Sequence, residues 1–117
     1  MPEKMKAVVK TKKAPGAEML EVEVPKIKPN EVLIKIIATS ICGTDVHIYE
    51  WDPWSQGRIK NIPQTLGHEC AGEVVEVGAV LQGFNKHDRV VVNPLIYCGE
   101  CHDCRRGQHI MCPKLGT

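Results

Sequence analysis

The sequence predicts a mainly β domain: a small, partly open β-barrel that carries a separate lobe built from loops. Three observations lead to it. Short apolar runs, alternating or rich in β-branched residues, recur between residues 6 and 93 and are punctuated by Pro and Gly. From Pro94 to Thr117 that periodicity stops, and Gly, Pro, His and Cys take over. No Gly-x-Gly-x-x-Gly occurs anywhere, so the repeated βα units of a dinucleotide fold are not expected in these residues. A chain of 117 residues has room for one domain and one hydrophobic core.

Each element can be justified in order. Lys6 to Thr11, led by Ala7, Val8 and Val9, suits a first strand. Leu20 to Val24 sets Leu20, Val22 and Val24 against Glu21 and Glu23, the period-two pattern of a half-buried strand. Pro25 and Pro29-Asn30 break the chain into turns. Glu31 to Ser40 alternates again, with Val32, Ile34 and Ile36 on one face and Leu33, Lys35 and Ile37 on the other. Its β-branched content argues strand over helix. Gly43 to Asn61 holds Trp51, Pro53, Trp54 and Gly57 and reads as a helical turn followed by a long loop. Ala71 to Gly78 and Asp88 to Asn93 are Val-rich strands. The segment from about 94 to 114 cannot bury a core of its own, so something else must order it.

Composition narrows the function classes. Lys plus Arg number 15 against 14 Asp plus Glu, and aromatics are few, which gives no electrostatic basis for a nucleic-acid partner. No apolar run is long enough to cross a bilayer. The lysine-rich start lacks the apolar stretch of a secretion signal, so a cytoplasmic protein with no membrane contact is expected. Six cysteines in a reducing compartment, four of them between residues 98 and 112, point to metal.

Cys98-x-x-Cys101-x-x-Cys104, followed by Cys112, is the strongest pattern. Structural zinc takes four ligands at the corners of a tetrahedron, and two-residue gaps let one tight turn present successive sulfurs to one ion. Gly99 and Gly107 permit the kinks such a loop needs. Arg105 and Arg106 lie where they can offset the net negative charge of four thiolates around Zn²⁺. Disulfides, an iron–sulfur cluster or free thiols are the competing readings. His102 and His109 are expected at the surface, since four cysteines fill the shell. A closed shell leaves no place for substrate, so this site would be structural.

A second constellation joins Cys42-Gly43-Thr44-Asp45-Val46-His47 to Gly67-His68-Glu69-Cys70-Ala71-Gly72 and, after five intervening residues, Gly78. Cys42 ends one strand and His68 precedes another, so both can sit at one rim of a barrel. A catalytic zinc takes ligands from separate parts of the chain and keeps one position open. Taken singly, a cysteine such as Cys42 at a strand end is more often an inert buried thiol, and a lone histidine such as His68 more often a structural one.

Together these motifs resemble the zinc-dependent medium-chain alcohol dehydrogenase family. Gly67-His68-Glu69-x-x-Gly72-x₅-Gly78 resembles its zinc signature, Cys42-Gly43-Thr44-Asp45 its ligand-bearing turn, and the four-cysteine lobe its structural-zinc loop. The resemblance covers essentially the whole chain. It implies a GroES-like catalytic domain over residues 1–117, with a structural-zinc lobe at about 94–114 and the Rossmann domain absent from this chain. It implies Cys42 and His68 as catalytic-zinc ligands, with Glu69 as an alternate or direct ligand. Asp45 would orient the zinc histidine, Thr44 would take the alcohol proton, and His47 would pass it to solvent. Zinc would favour an alkoxide that transfers hydride to NAD. NAD and a further zinc ligand would lie beyond Thr117, the fragment alone would be inactive, and the full-length protein would be a homo-oligomer, a tetramer.

The run His47-Ile48-Tyr49-Glu50-Trp51-Asp52-Pro53-Trp54 is similar to the L-threonine 3-dehydrogenase branch of that family. That branch implies oxidation of L-threonine, a small-molecule secondary alcohol, to 2-amino-3-oxobutanoate. Leu95 departs from the histidine of many such enzymes, and Val90-Val91-Val92-Asn93-Pro94 reads more like a polyol or 2,3-butanediol dehydrogenase, the alternative substrate class. Leu81 and His87 are smaller departures, His87 standing where a glycine is common before Asp88-Arg89-Val90. A stand-alone zinc-binding assembly module is the alternative outside the enzymes.

Overall fold

The computed structural model describes residues 3–116. In chain order the elements are β1 (Lys4–Lys10), β2 (Glu18–Glu23), β3 (Val32–Thr39), α1 (Gly43–Glu50), α2 (Pro53–Arg58), β4 (Gln64–Thr65), β5 (Cys70–Val77), β6 (Arg89–Val91) and α3 (His102–Arg105), then a 3-10 turn, His109–Met111. The strands form two three-stranded sheets, β2-β1-β4 and β3-β5-β6, with every pairing antiparallel. No ladder joins the sheets among the described residues, so the barrel is open at that seam. No helix among the described residues is long and apolar enough to cross a membrane.

Register follows from charge and pattern. Lys4 faces Glu23 and Lys6 faces Glu21 across β1 and β2, opposite charges on directly opposed residues. Val22 and Val24 are half-buried while Glu21 and Glu23 are exposed, the alternation expected there. The core is small: Ala7 and Val9 from β1, Leu33 from β3, Val74 from β5, Ile48 from α1, and Ile59.

On β3 the expected faces are interrupted. The β3–β5 register shifts between Leu33 and Ile34 and again between Ile36 and Ala38. Each bulge turns the following side chains to the other face. Leu33, ahead of the first shift, is buried, whereas Ile36 and Ile37, beyond it, are both exposed.

Two glycines of the His68 motif are explained by backbone approach rather than by ligation. A Cβ on Gly72 would lie 2.2 Å from the Lys35 carbonyl oxygen, and one on Gly78 would lie 2.2 Å from the Pro29 oxygen. Both contacts are with backbone, which cannot swing aside. These residues let β5 press against β3 and the preceding turn, which fixes the position of His68 just before β5.

The segment 43–61 departs from the expected turn and loop, because it folds into two helices. A two-turn helix with only Ile48 buried shows no apolar stripe, so periodicity could not reveal it. Its start is set instead by Asp45, whose Oδ2 accepts the Cys42 N–H at 3.0 Å. Trp51, at φ 57°, ends α1 in the left-handed region. Asp52 then caps α2 by accepting the Ser55 N–H at 2.9 Å, with Pro53 at the first helical position.

Lys10 anchors this arrangement from below. Its side chain is 1% exposed, and its Nζ donates to the carbonyls of Ala14, Gly16 (2.7 Å) and Tyr49 (3.3 Å). The ammonium lies 5.2 Å from the Trp51 ring centroid. Burial pushes the Lys10 pKa down, and the three acceptors hold the charged form that burial penalises. The clasp ties β1 and the turn after it to the end of α1.

Candidate metal centres

Two groups of ligand-type side chains converge among the described residues. In the first, one sulfur from each of Cys98, Cys101, Cys104 and Cys112 lies within 4.8 Å of the others. Cys98 Sγ and Cys104 Sγ are 3.9 Å apart. A tetrahedral Zn–S bond of about 2.3 Å places its sulfurs about 3.8 Å apart, so one ion fits this spacing. None of the six cysteines is paired in a disulfide.

The backbone is organised around the sulfurs. Cys98 N–H donates to Cys112 Sγ (3.4 Å), Cys101 N–H to Cys98 Sγ (3.3 Å) and Cys104 N–H to Cys101 Sγ (3.4 Å). Amides of Glu100 and Cys101 draw the Cys98 thiol down to about 6, while burial pushes Cys104 up to about 12. The lobe thus favours its first thiolate and resists the next unless a cation offsets the charge. Gly99 and Gly107 adopt φ of 75° and 76°, the kinks expected of them. A bridge between Ile96 and Gly116 closes the lobe at its base. His102 is exposed as expected, but His109 is half-buried and stacks on Tyr97 at 3.9 Å, with the rings 2° from parallel. Arg105 and Arg106 are exposed, and Arg106 donates to Gln108.

The second group is Cys42, His68 and Glu69, whose ligand atoms also lie within 4.8 Å of one another. Cys42 precedes α1, and the pairing of Thr39 with Cys70 brings His68 and Glu69 alongside it. Glu69 is held at both ends. Ser40 N–H and Thr39 Oγ1 donate to its carbonyl at 2.9 and 3.1 Å, and Ser40 Oγ donates to its Oε2 at 2.8 Å.

Asp45 serves two neighbours at once. While Oδ2 caps α1, Oδ1 lies 3.6 Å from His68 Nδ1. A carboxylate facing Nδ1 favours a proton on that nitrogen and leaves the lone pair on Nε2. Thr44 Oγ1 stands 3.3 Å from that Nε2. Cys42 and His68 are half-buried and Glu69 is exposed. A cavity of about 410 Å³ opens at His68, lined also by Thr44, Ile48, Trp54, Arg58 and Gln64. The donor set of thiol, imidazole and carboxylate suits zinc, and the cavity leaves room for a further ligand.

His47 lies one turn along α1 from Thr44. Its Nδ1 is bonded to Asp52 Oδ2, and its ring is tilted against Trp54 at 5.5 Å. Sequence reasoning passed over Asp52, Ser40 and Lys10. Asp52-Pro53 with Ser55 three residues after Asp52 is a readable N-cap signal. Nothing local marks Ser40, whose partner Glu69 precedes another strand, and the contact of Lys10 with Tyr49 is likewise distant in sequence.

Comparison with known proteins agrees with this geometry. The family model described as alcohol dehydrogenase GroES-like domain matches residues 28–117. The chain is 62% identical over 112 residues to an L-threonine 3-dehydrogenase of Pyrococcus abyssi, covering 96% of this chain and 32% of that protein. It is 51% identical over 108 residues to an L-threonine 3-dehydrogenase of Legionella pneumophila, covering 92% and 32%. Among solved structures it superposes on the alcohol dehydrogenase TADH from Thermus sp. ATN1 with a TM-score of 0.77 at 36% identity, covering 97% of this chain and 31% of that one. Galactitol-1-phosphate dehydrogenase from Escherichia coli gives a TM-score of 0.79 at 30% identity, covering 95% and 31%. The chain therefore spans about a third of the length of the relatives it matches. Its match over residues 28–117 places the chain in the alcohol dehydrogenase GroES-like domain family.

Proposed function

We propose that this chain is the catalytic-domain portion of a zinc-dependent, NAD-linked secondary-alcohol dehydrogenase, with L-threonine as substrate and 2-amino-3-oxobutanoate as product. The observation that carries the reading is the convergence of Cys42, His68 and Glu69 beside an open cavity, with Thr44 at its wall. Support for threonine comes from the L-threonine 3-dehydrogenases at 62% and 51% identity. The reading includes a nucleotide-binding domain as partner for NAD, a cytoplasmic location and a homo-oligomer, a tetramer.

Cys42, His68 and Glu69 would hold the catalytic zinc, and Cys98, Cys101, Cys104 and Cys112 the structural one. Zinc held at the open site would supply Lewis acidity toward the oxygen of a bound alcohol. The chain's own residues do the rest. Asp45 fixes the His68 tautomer and orientation through Nδ1. Thr44 offers a hydroxyl within reach of the cavity, where it can accept the substrate proton. His47, three residues on along the same helix and exposed, can release that proton to solvent. Trp54, Ile48 and Arg58 wall the cavity in which the substrate would sit.

A polyol or 2,3-butanediol substrate is the second reading, favoured by the structural match to galactitol-1-phosphate dehydrogenase. Joined to a nucleotide-binding domain, the protein should reduce NAD with L-threonine and not with 2,3-butanediol or sorbitol, and Cys42→Ser should abolish this activity. Reduction of NAD with a diol but not with threonine would overturn the substrate assignment. Full activity of Cys42→Ser would overturn the site.

A further inference from the structure

We propose that Asp52 is a positioning residue for His47: it holds the neutral imidazole in the Nδ1–H form and so keeps Nε2 free as the proton acceptor at the solvent end of the relay. The proposal rests on the proposed dehydrogenase reading for its use, but not for its geometry. An ionised carboxylate can only accept, and both oxygens of Asp52 are committed. Oδ1 accepts the Ser55 N–H at 2.9 Å, which caps α2. Oδ2 meets His47 Nδ1. With Oδ1 fixed by the helix start, the carboxylate cannot rotate, and the oxygen facing the imidazole remains an acceptor. Nδ1 must therefore be the donor.

A histidine side chain free in water favours the Nε2–H tautomer, so the choice is imposed by the fold. The Ser55 amide and then the His47 contact hold the Asp52 carboxyl below the usual carboxylate range, so it stays ionised wherever His47 is neutral. Backbone placement reinforces the pairing. Trp51 takes a left-handed conformation and Pro53 begins α2, so Asp52 is folded back against the last turn of α1. The Trp54 ring, carried on α2, flanks the imidazole from a second direction. A residue that must receive a proton and then release it needs its lone pair on one known nitrogen, and a wrong tautomer removes it even when the geometry survives.

Asp52→Asn is the informative variant, because it keeps size and cap while changing what faces the ring. Its amide oxygen can accept from Ser55, which turns the NH₂ toward His47 Nδ1 and demands the Nε2–H form. The test is long-range ¹H–¹⁵N correlation on the labelled chain near pH 8, with the His47 signals assigned by their loss in His47→Gln. The wild type should show a protonated Nδ1 and an unprotonated Nε2, and Asp52→Asn should reverse them. An unchanged Trp54 indole signal in the variant would show that α2 is still in place. If Asn unfolds α2, Asp52→Ser, which retains a hydroxyl cap, should still shift the balance toward Nε2–H. A wild type in the Nε2–H form, or a tautomer indifferent to both substitutions, would overturn the proposal. The readout requires no metal and no turnover, so it stands apart from failure of the dehydrogenase reading.

Discussion

The two candidate metal centres use similar ligands but are built in opposite ways. Cys98, Cys101, Cys104 and Cys112 come from one stretch of 15 residues, and their sulfurs receive hydrogen bonds from the lobe's own amides. Cys42, His68 and Glu69 come from two distant stretches and meet only because β3 pairs with β5. The first site holds its surroundings together, whereas the second is held together by its surroundings. A closed shell around a metal can replace a core, while an open one must be supported by a core elsewhere.

Breaking each centre should therefore have different consequences. The largest effect is expected at the lobe. Structural zinc contributes apparent binding of about 10–16 kcal/mol in zinc-finger peptides, so its removal by chelator, or Cys104→Ser, should release residues 95–116 from order. Amide hydrogen exchange should show that release while β1, β3 and β5 stay protected. Melting of the sheets at the same chelator concentration would show that the lobe and barrel are one unit.

Gly72→Ala tests the support of the open site. The added methyl must displace the Lys35 backbone, a kind of overpacking that costs about 1–3 kcal/mol or more. A fall in the urea midpoint together with weakened metal binding at Cys42 and His68 is expected, with the lobe's metal retained. A smaller and more local effect is expected from Asp45→Asn. Loss of the carboxylate facing His68 should weaken metal at the open site about 10–100-fold, as read by competition with a chromogenic chelator, and leave the lobe unchanged. The smallest effect belongs to His87, which sits at φ 77° on an exposed turn and meets Glu73. His87→Gly should relieve backbone strain of about 1 kcal/mol and lose an exposed side-chain hydrogen bond to Glu73 worth less, so the melting temperature should rise slightly.

The same contrast explains what could be read from the sequence. The lobe was legible because its ligands and its kinking glycines lie within one window. The strands were legible from alternation, except where the β3 bulges turned Ile36 and Ile37 outward, since a bulge leaves no mark in an apolar pattern. Helices α1 and α2 were not read as a pair, because each is too short to build a stripe and depends on Asp45 and Asp52 as caps. The supporting residues were hardest to find. Ser40 acts on Glu69 across a strand pair, and Lys10 reaches Tyr49 across 39 residues of sequence. His109 was expected on the surface, but Tyr97 partly covers it, a contact fixed by the closure of the lobe.

The most direct test of this contrast is zinc per chain by elemental analysis, before and after dialysis against a mild chelator, for the wild type, Cys104→Ser and Cys42→Ser. About one zinc should survive dialysis and be lost in Cys104→Ser, and a second should bind only in excess zinc and be lost in Cys42→Ser. Two zincs retained equally well, or a folded lobe that holds none, would overturn the contrast between the two centres.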